Sequence, residues 1–104
     1  MWIQIKTPEP VLIYKFALRG LNTNTNTDRI FSWRLEANNN GIIGYTILYS
    51  TANTYIGNTT QFFNIVNTAI PAASFYKLVV VDSEGTQPGL SYFQLFTLDH
   101  VIHL

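Results

Sequence analysis

The sequence contains no cysteine and few charged residues. Without cysteine it can form neither a disulfide framework nor a thiolate metal site. Charged residues make up only 12% of the chain, and six basic side chains balance six acidic ones without a cluster of either sign. Because a field of positive charge is what attracts a polyanion, we predict that nucleic acid is not a partner.

Long apolar segments are absent as well. No run approaches the ~20 residues needed to span a bilayer, and no basic segment followed by an apolar one stands at the N-terminus. The sequence therefore predicts neither membrane insertion nor a targeting signal. Asn and Thr are abundant, so neutral polar side chains have to supply most of the solubility.

The residues that are present favour β-strands. Seven Phe, six Tyr and two Trp accompany many Val, Ile and Thr, which suit a pleated surface better than a helix interior. Residues 31–38 alternate strictly, with Phe31, Trp33 and Leu35 on one side and polar side chains on the other. This alternation predicts that Trp33 lies in the core, whereas Trp2 is a candidate for the surface. The predicted strands are Trp2–Lys6, 11–19, 31–38, Tyr45–Ser50, Gln61–Val66, Phe75–Asp82 and Ser91–Leu98.

Turn-forming residues separate these strands. Gly, Pro and Asn are concentrated in Asn38–Gly41, at Pro71 and in Ser83–Gly89. Several short strands with turns between them, and no amphipathic helical stretch, are typical of a sandwich or barrel. We therefore predict an all-β fold, an antiparallel two-sheet jelly-roll-like sandwich. It forms one domain over residues 1–104, with 99–104 as a C-terminal tail.

Five segments, taken in order, resemble a known family. They are similar to strands and turns of the discoidin-like, or coagulation-factor C-type, domain, a galactose-binding-like jelly roll. The segments are Trp2-Ile3-Gln4-Ile5, Val11 through Gly20, Leu35-Glu36-Ala37-Asn38-Asn39-Asn40-Gly41, Phe75-Tyr76-Lys77-Leu78 and Gly89-Leu90-Ser91-Tyr92-Phe93-Gln94-Leu95-Phe96. Together they cover most of residues 2–98. The resemblance implies a jelly-roll sandwich. In that family the stretch before the Trp strand usually supplies loops to the ligand end, so the resemblance does not by itself carry ligand binding over to this chain.

The chain departs from that family in two ways. Family members have a substantial stretch before the Trp strand and often a cysteine pair that ties the ends together, and both are missing here. The resemblance therefore implies a jelly roll truncated at its N-terminus, whose uncovered edge a partner chain would cover. The Asn/Thr-rich loops, low charge and lack of cysteine also resemble head domains of viral and phage fibres, which are commonly trimers. This second resemblance implies a homo-oligomer, a trimer, located outside the cell or on the virion surface.

Catalysis is not predicted. Ser50, Ser83 and Ser91 have no His or paired acid in a plausible neighbouring strand, and no Gly-x-Ser-x-Gly turn is present. Glu36 and Glu84 would be the carboxylates of a glycosidase, but one falls on the polar side of a strand and the other in a turn. The sequence therefore predicts a protein that is not an enzyme.

The two histidines do not indicate a metal site. His100 and His103 stand near Asp99 in the predicted tail, and a metal would need at least one further ligand. An ordinary solvated tail is the preferred interpretation. We predict no metal and no cofactor.

Ligand-binding residues are predicted from strand direction. If every connection reverses the chain, the loops 20–30, 51–60 and 83–89 share one end with Trp2, and loops on a rigid scaffold commonly carry binding residues. Amide, guanidinium and carboxylate groups beside a Tyr ring suit a polyhydroxylated sugar, because they combine paired hydrogen bonds with an apolar face. The same residue types are also ordinary on exposed loops that bind nothing. The candidate residues are Trp2, Arg19, Asn22, Asn24, Asp28, Arg29, Tyr55, Asn58, Glu84 and Gln87.

Two functions follow from these observations. The first is a non-catalytic attachment module that recognises a cell-surface carbohydrate or receptor, as part of a viral or phage fibre. The alternative is a purely structural head or trimerisation domain without a specific ligand.

Overall fold

The regular secondary structure of the described residues consists of β-strands, with no helix. The computed structural model describes residues 2–20, 30–41, 44–52, 55–57, 59–65, 72–84 and 89–97 with their side chains, and 101–103 as backbone. Within these residues the strands are β1 (Trp2–Val11), β2 (Ile13–Gly20), β3 (Ile30–Asn38), β4 (Thr46–Thr51), β5 (Gln61–Asn64), β6 (Ala73–Ser83), β7 (Leu90–Thr97) and β8 (Val101–His103). None of the described residues belongs to a helix that could cross a membrane.

The strands form two four-stranded sheets. Sheet 1 has the order β1-β6-β3-β4, and sheet 2 has the order β5-β2-β7-β8. Every pairing is antiparallel. Side chains of the two inner faces pack together into one core, as in a sandwich. The predicted all-β, antiparallel two-sheet fold is therefore confirmed.

An aromatic cluster forms the centre of the core. Trp33 of β3 is fully buried, and its ring lies 5.0–5.9 Å from the rings of Phe16, Tyr49 and Phe63. Phe16 and Phe63 come from sheet 2, whereas Trp33 and Tyr49 come from sheet 1. Such ring pairs add about 0.5–1.5 kcal/mol each beyond the burial of their area. The prediction that Trp33 belongs to the core is confirmed, and the cluster joins the two sheets.

Tyr76 closes the core beside β1. Its ring is buried in sheet 1, and its hydroxyl donates a hydrogen bond to the carbonyl oxygen of Val11 at 2.5 Å. Burial raises the pKa of Tyr76 to about 12, because the phenolate would lose its hydration. The side chain is therefore neutral at every pH below that range.

The first strand is longer than the sequence predicts. The pattern predicts an end at Lys6, before Pro8 and Pro10, whereas β1 continues to Val11 with an irregular register after Lys6. Proline has no N–H to donate, so it is tolerated where a strand has one free edge. β1 is such an edge strand, and prolines there also oppose pairing with another chain.

The C-terminal segment differs from the prediction as well. The sequence predicts a tail over 99–104, whereas Val101–His103 forms β8 and pairs with residues 94–96 of β7. Three residues are too short for an alternating pattern to reveal a strand. The side chain of His103 and the whole of residues 98–100 lie outside the described residues.

Candidate functional site

Two loop residues of the predicted site are in direct contact. Tyr55 lies after β4 and Glu84 directly follows β6. The Tyr55 hydroxyl donates a hydrogen bond to Oε1 of Glu84 at 2.5 Å, and the Tyr55 ring packs against that of Phe31 at 5.6 Å. The Tyr55 side chain is nevertheless 42% exposed. A ring and a carboxylate are thus held together at the surface, and we call them the Tyr55–Glu84 site.

Backbone contacts anchor the loop that carries Tyr55. Ile56 is buried in the core, and its N–H donates to the carbonyl oxygen of Ile30 at 2.9 Å. The N–H of Gly20 donates to the carbonyl oxygen of Gly57 at 2.7 Å. A Cβ on Gly20 would lie 2.9 Å from the oxygen of Ile56, so only glycine allows this approach. The loop is therefore fixed to the ends of both sheets.

Arg19 lies near this loop but faces another direction. It precedes Gly20 in β2, and its Nε donates to Oγ of Ser91 at 3.0 Å. Its guanidinium lies over the ring of Tyr92, 5.2 Å from the centroid. Arg19 thus belongs to the outer face of sheet 2, at the end next to Gly57.

Trp2 stands on the outer face of sheet 1, away from the loop tips. It pairs with Val79, four residues before Ser83, which is about 13 Å along the strand. Its side chain is 58% exposed, which confirms the predicted surface position. Nζ of Lys77 lies 4.9 Å from the Trp2 ring and 4.2 Å from the ring of Tyr45.

Polar groups surround Trp2 and Lys77. The Tyr45 hydroxyl donates to Oε1 of Gln4 at 2.6 Å, and Arg34 forms an ion pair with Glu36 on the same face. Partial burial, and then the charge of Glu36, raise the pKa of Tyr45 above its ordinary value. Sequence reasoning missed this group. The available signal was that Lys77 lies between Tyr76 and Leu78, which both point into the core.

Six of the predicted site residues lie outside the described residues: Asn22, Asn24, Asp28, Arg29, Asn58 and Gln87. Within the described part of the chain, no group of three or more His, Asp or Glu side chains is placed to hold a metal ion.

A comparison with known proteins finds no family model and no curated protein that matches this chain.

Proposed function

We propose that this chain is a non-catalytic attachment module that recognises a cell-surface carbohydrate or receptor, as part of a viral or phage fibre. The observation that carries the proposal is the Tyr55–Glu84 site. In this proposal the chain works outside the cell or on the virion, and the other predicted loop residues extend the same site.

The chemistry of the pair suits a sugar. The exposed Tyr55 ring offers an apolar surface to the C–H face of a pyranose ring, while Glu84 offers carboxylate oxygens to its hydroxyl groups. The hydrogen bond between the two side chains and the contact with Phe31 reduce their freedom before any ligand arrives. Less conformational entropy is then lost on binding, which favours affinity.

We expect Tyr55→Ala to weaken glycan binding about fivefold or more, because a lost stacking or polar contact is worth on the order of 1 kcal/mol. The fold should remain, since substitutions at exposed loop positions usually change stability by less than about half a kcal/mol. Binding is measured on a glycan array and to host cells, and stability by thermal melting.

Two further variants separate the parts of the site. Tyr55→Phe keeps the ring and removes the hydrogen bond to Glu84, so it reports on the positioning of the carboxylate. Asn40→Ala, in the turn at the opposite end of β3, is the control and should bind as the wild type does. If the wild type binds no glycan or cell, or if Asn40→Ala weakens binding as much as Tyr55→Ala, the proposal is wrong.

The alternative, a structural head or trimerisation domain, is favoured by the outer face of sheet 1. Trp2 and Ile47 are 58% and 55% exposed there, on the two edge strands. Large apolar side chains in such positions suit contact with another subunit. We expect sedimentation at micromolar concentration to show a trimer, and Trp2→Ser with Ile47→Ser to shift it toward monomer. A wild-type monomer would contradict both the trimer and this alternative.

A further inference from the structure

The outer face of sheet 2 carries a layer of aromatic rings. Phe62 of β5 and Phe96 of β7 approach to 5.9 Å between ring centroids, across the central strand β2. Phe62 is 58% exposed although it belongs to a regular strand. Ala17 lies directly opposite Phe62 and points outward, yet it is fully buried. The side chains around Ala17 thus close over it, and the rings form the surface.

A lysine is held in the middle of these rings. Nζ of Lys15 lies 4.6 Å from the centroid of Phe96, 5.3 Å from Phe62 and 5.8 Å from Tyr14. No carboxylate of the described residues forms an ion pair with Lys15. Among the described residues its charge faces aromatic rings and no carboxylate, which leaves the ammonium able to bind an anion from solution.

A second cation lies along the same face. Arg19 is four residues further along β2, which is about 13 Å, and its guanidinium covers Tyr92. The outward positions of β2, β5 and β7 that the structure describes include no Asp or Glu; they are Lys15, Ala17, Arg19, Phe62, Asn64, Tyr92, Gln94 and Phe96. We call this surface the aromatic face. It combines ring surfaces with two positively charged side chains that start about 13 Å apart along β2.

We propose that the aromatic face binds an extended carboxylated polysaccharide, a polymer of uronic acid units. Its carboxylates would pair with Lys15 and with the terminal nitrogens of Arg19, whose Nε is already bonded to Ser91. The apolar face of one of its sugar rings would lie on the exposed ring of Phe62. The ligand spans several sugar units, since the Cα atoms of Lys15 and Arg19 are about 13 Å apart along β2.

The charges favour this ligand over single-stranded nucleic acid. Stacked bases need free ring faces, whereas Lys15 already covers Phe96. Nucleic acid also presents a phosphate on every nucleotide, while this face carries two cations in a chain of zero net charge. A carboxylate, in contrast, pairs with the Lys15 ammonium directly and does not need the ring face that the lysine covers. The aromatic face shares no residue with the Tyr55–Glu84 site, so the two proposals can fail separately.

Affinity electrophoresis tests the proposal with defined polymers. Polygalacturonate in the gel should retard the wild-type protein, and neutral dextran should not. We expect Lys15→Gln to weaken binding to polygalacturonate about tenfold or more, as is typical for the loss of a charge-assisted contact. Phe62→Ala should weaken it several-fold through loss of the ring surface, and Asn40→Ala, which lies in neither proposed site, should leave it unchanged.

Lys77→Gln is the matched control. Lys77 is also a lysine held over two aromatic rings, but it lies on the outer face of the other sheet, and its replacement changes the net charge equally. It should alter retardation less than twofold. If Lys77→Gln and Lys15→Gln weaken retardation by polygalacturonate equally, net charge alone explains the effect and the proposal is wrong.

Other results would also overturn it. These are no retardation by polygalacturonate, stronger retardation by dextran sulfate, and tighter binding of a thymidine oligonucleotide measured by fluorescence anisotropy. Sedimentation of the same proteins gives one more test. If Lys15→Gln and Phe62→Ala convert an oligomer into monomers, the face binds a second copy of the chain instead. Thermal melting shows whether Lys15→Gln and Phe62→Ala are folded. If one of them fails to fold, the other still tests polygalacturonate binding against the wild type.

Discussion

Replacing Trp33 with alanine will lower the free energy of unfolding by about 3–5 kcal/mol, the usual loss when a buried Trp or Phe is truncated. Trp33 contacts Phe16, Tyr49 and Phe63, so the cavity would open in the aromatic cluster that joins the two sheets. A domain of this size is stable by only about 5–15 kcal/mol. Urea denaturation should therefore show a large fall in the midpoint, or a protein that no longer folds.

Trp33→Phe separates the ring from the indole N–H. Nε1 of Trp33 is buried and has no hydrogen-bond partner among the described residues. Such an unpaired donor is destabilising by about 1–3 kcal/mol, so the phenylalanine variant loses volume but also loses this penalty. We expect it to be far closer to the wild type than the alanine variant. Equal destabilisation by the two substitutions would show that the cluster does not hold the sheets together in this way.

Raising the pH from 10 to 12 will remove about 2 kcal/mol of stability through Tyr76. In the unfolded chain a tyrosine titrates near pH 10, whereas burial raises the pKa of Tyr76 to about 12 in the folded protein. The unfolded state therefore loses its proton first. The stabilisation is complete below pH 10 and is lost as the pH rises toward 12, by about 1.4 kcal/mol for each unit of difference.

Tyr76→Phe provides the comparison for this pH dependence. At neutral pH the variant should be about 1 kcal/mol less stable, because the carbonyl oxygen of Val11 loses its hydrogen bond. Between pH 10 and 12 its stability should fall less steeply than that of the wild type. Denaturant unfolding at several pH values measures both. Parallel curves would mean that Tyr76 is not the titrating group.

The strands with clear alternation could be predicted from the sequence, whereas the edge strands β1 and β8 could not be predicted with their correct bounds. Residues 31–38 were predicted as a strand and form β3 with one additional residue, because a face buried against the core imposes a period of two. β1 was predicted too short, since its prolines lie on an edge where no N–H is needed. β8 has only three residues and pairs with β7 at long range, so no local pattern marks it.

The candidate site was also predicted only in part from the sequence. Strand direction grouped Tyr55 with Glu84, and the two side chains are in contact. The same argument grouped Trp2 with them, but Trp2 lies partway along β6, opposite Val79, because β1 starts well short of the end of its neighbour. Register between distant strands depends on the packing of whole sheets, and a single sequence does not reveal it. The rings around Lys15 were missed for this reason, since Tyr14, Phe62 and Phe96 come from separate parts of the chain.

The order of the strands has a consequence for the growing chain. Among the strands that the structure describes, only β3 with β4 and β7 with β8 are neighbours both in sequence and in a sheet. β1 pairs with β6, which is synthesised much later. A ribosome adds about 5–20 residues per second, so β1 spends several seconds without its partner. Pairings over such distances are slow to form and are exposed to aggregation meanwhile. The prolines at 8 and 10 remove two N–H donors from β1 during that interval, so they oppose wrong pairing in the growing chain as well as at the free edge of the folded sheet.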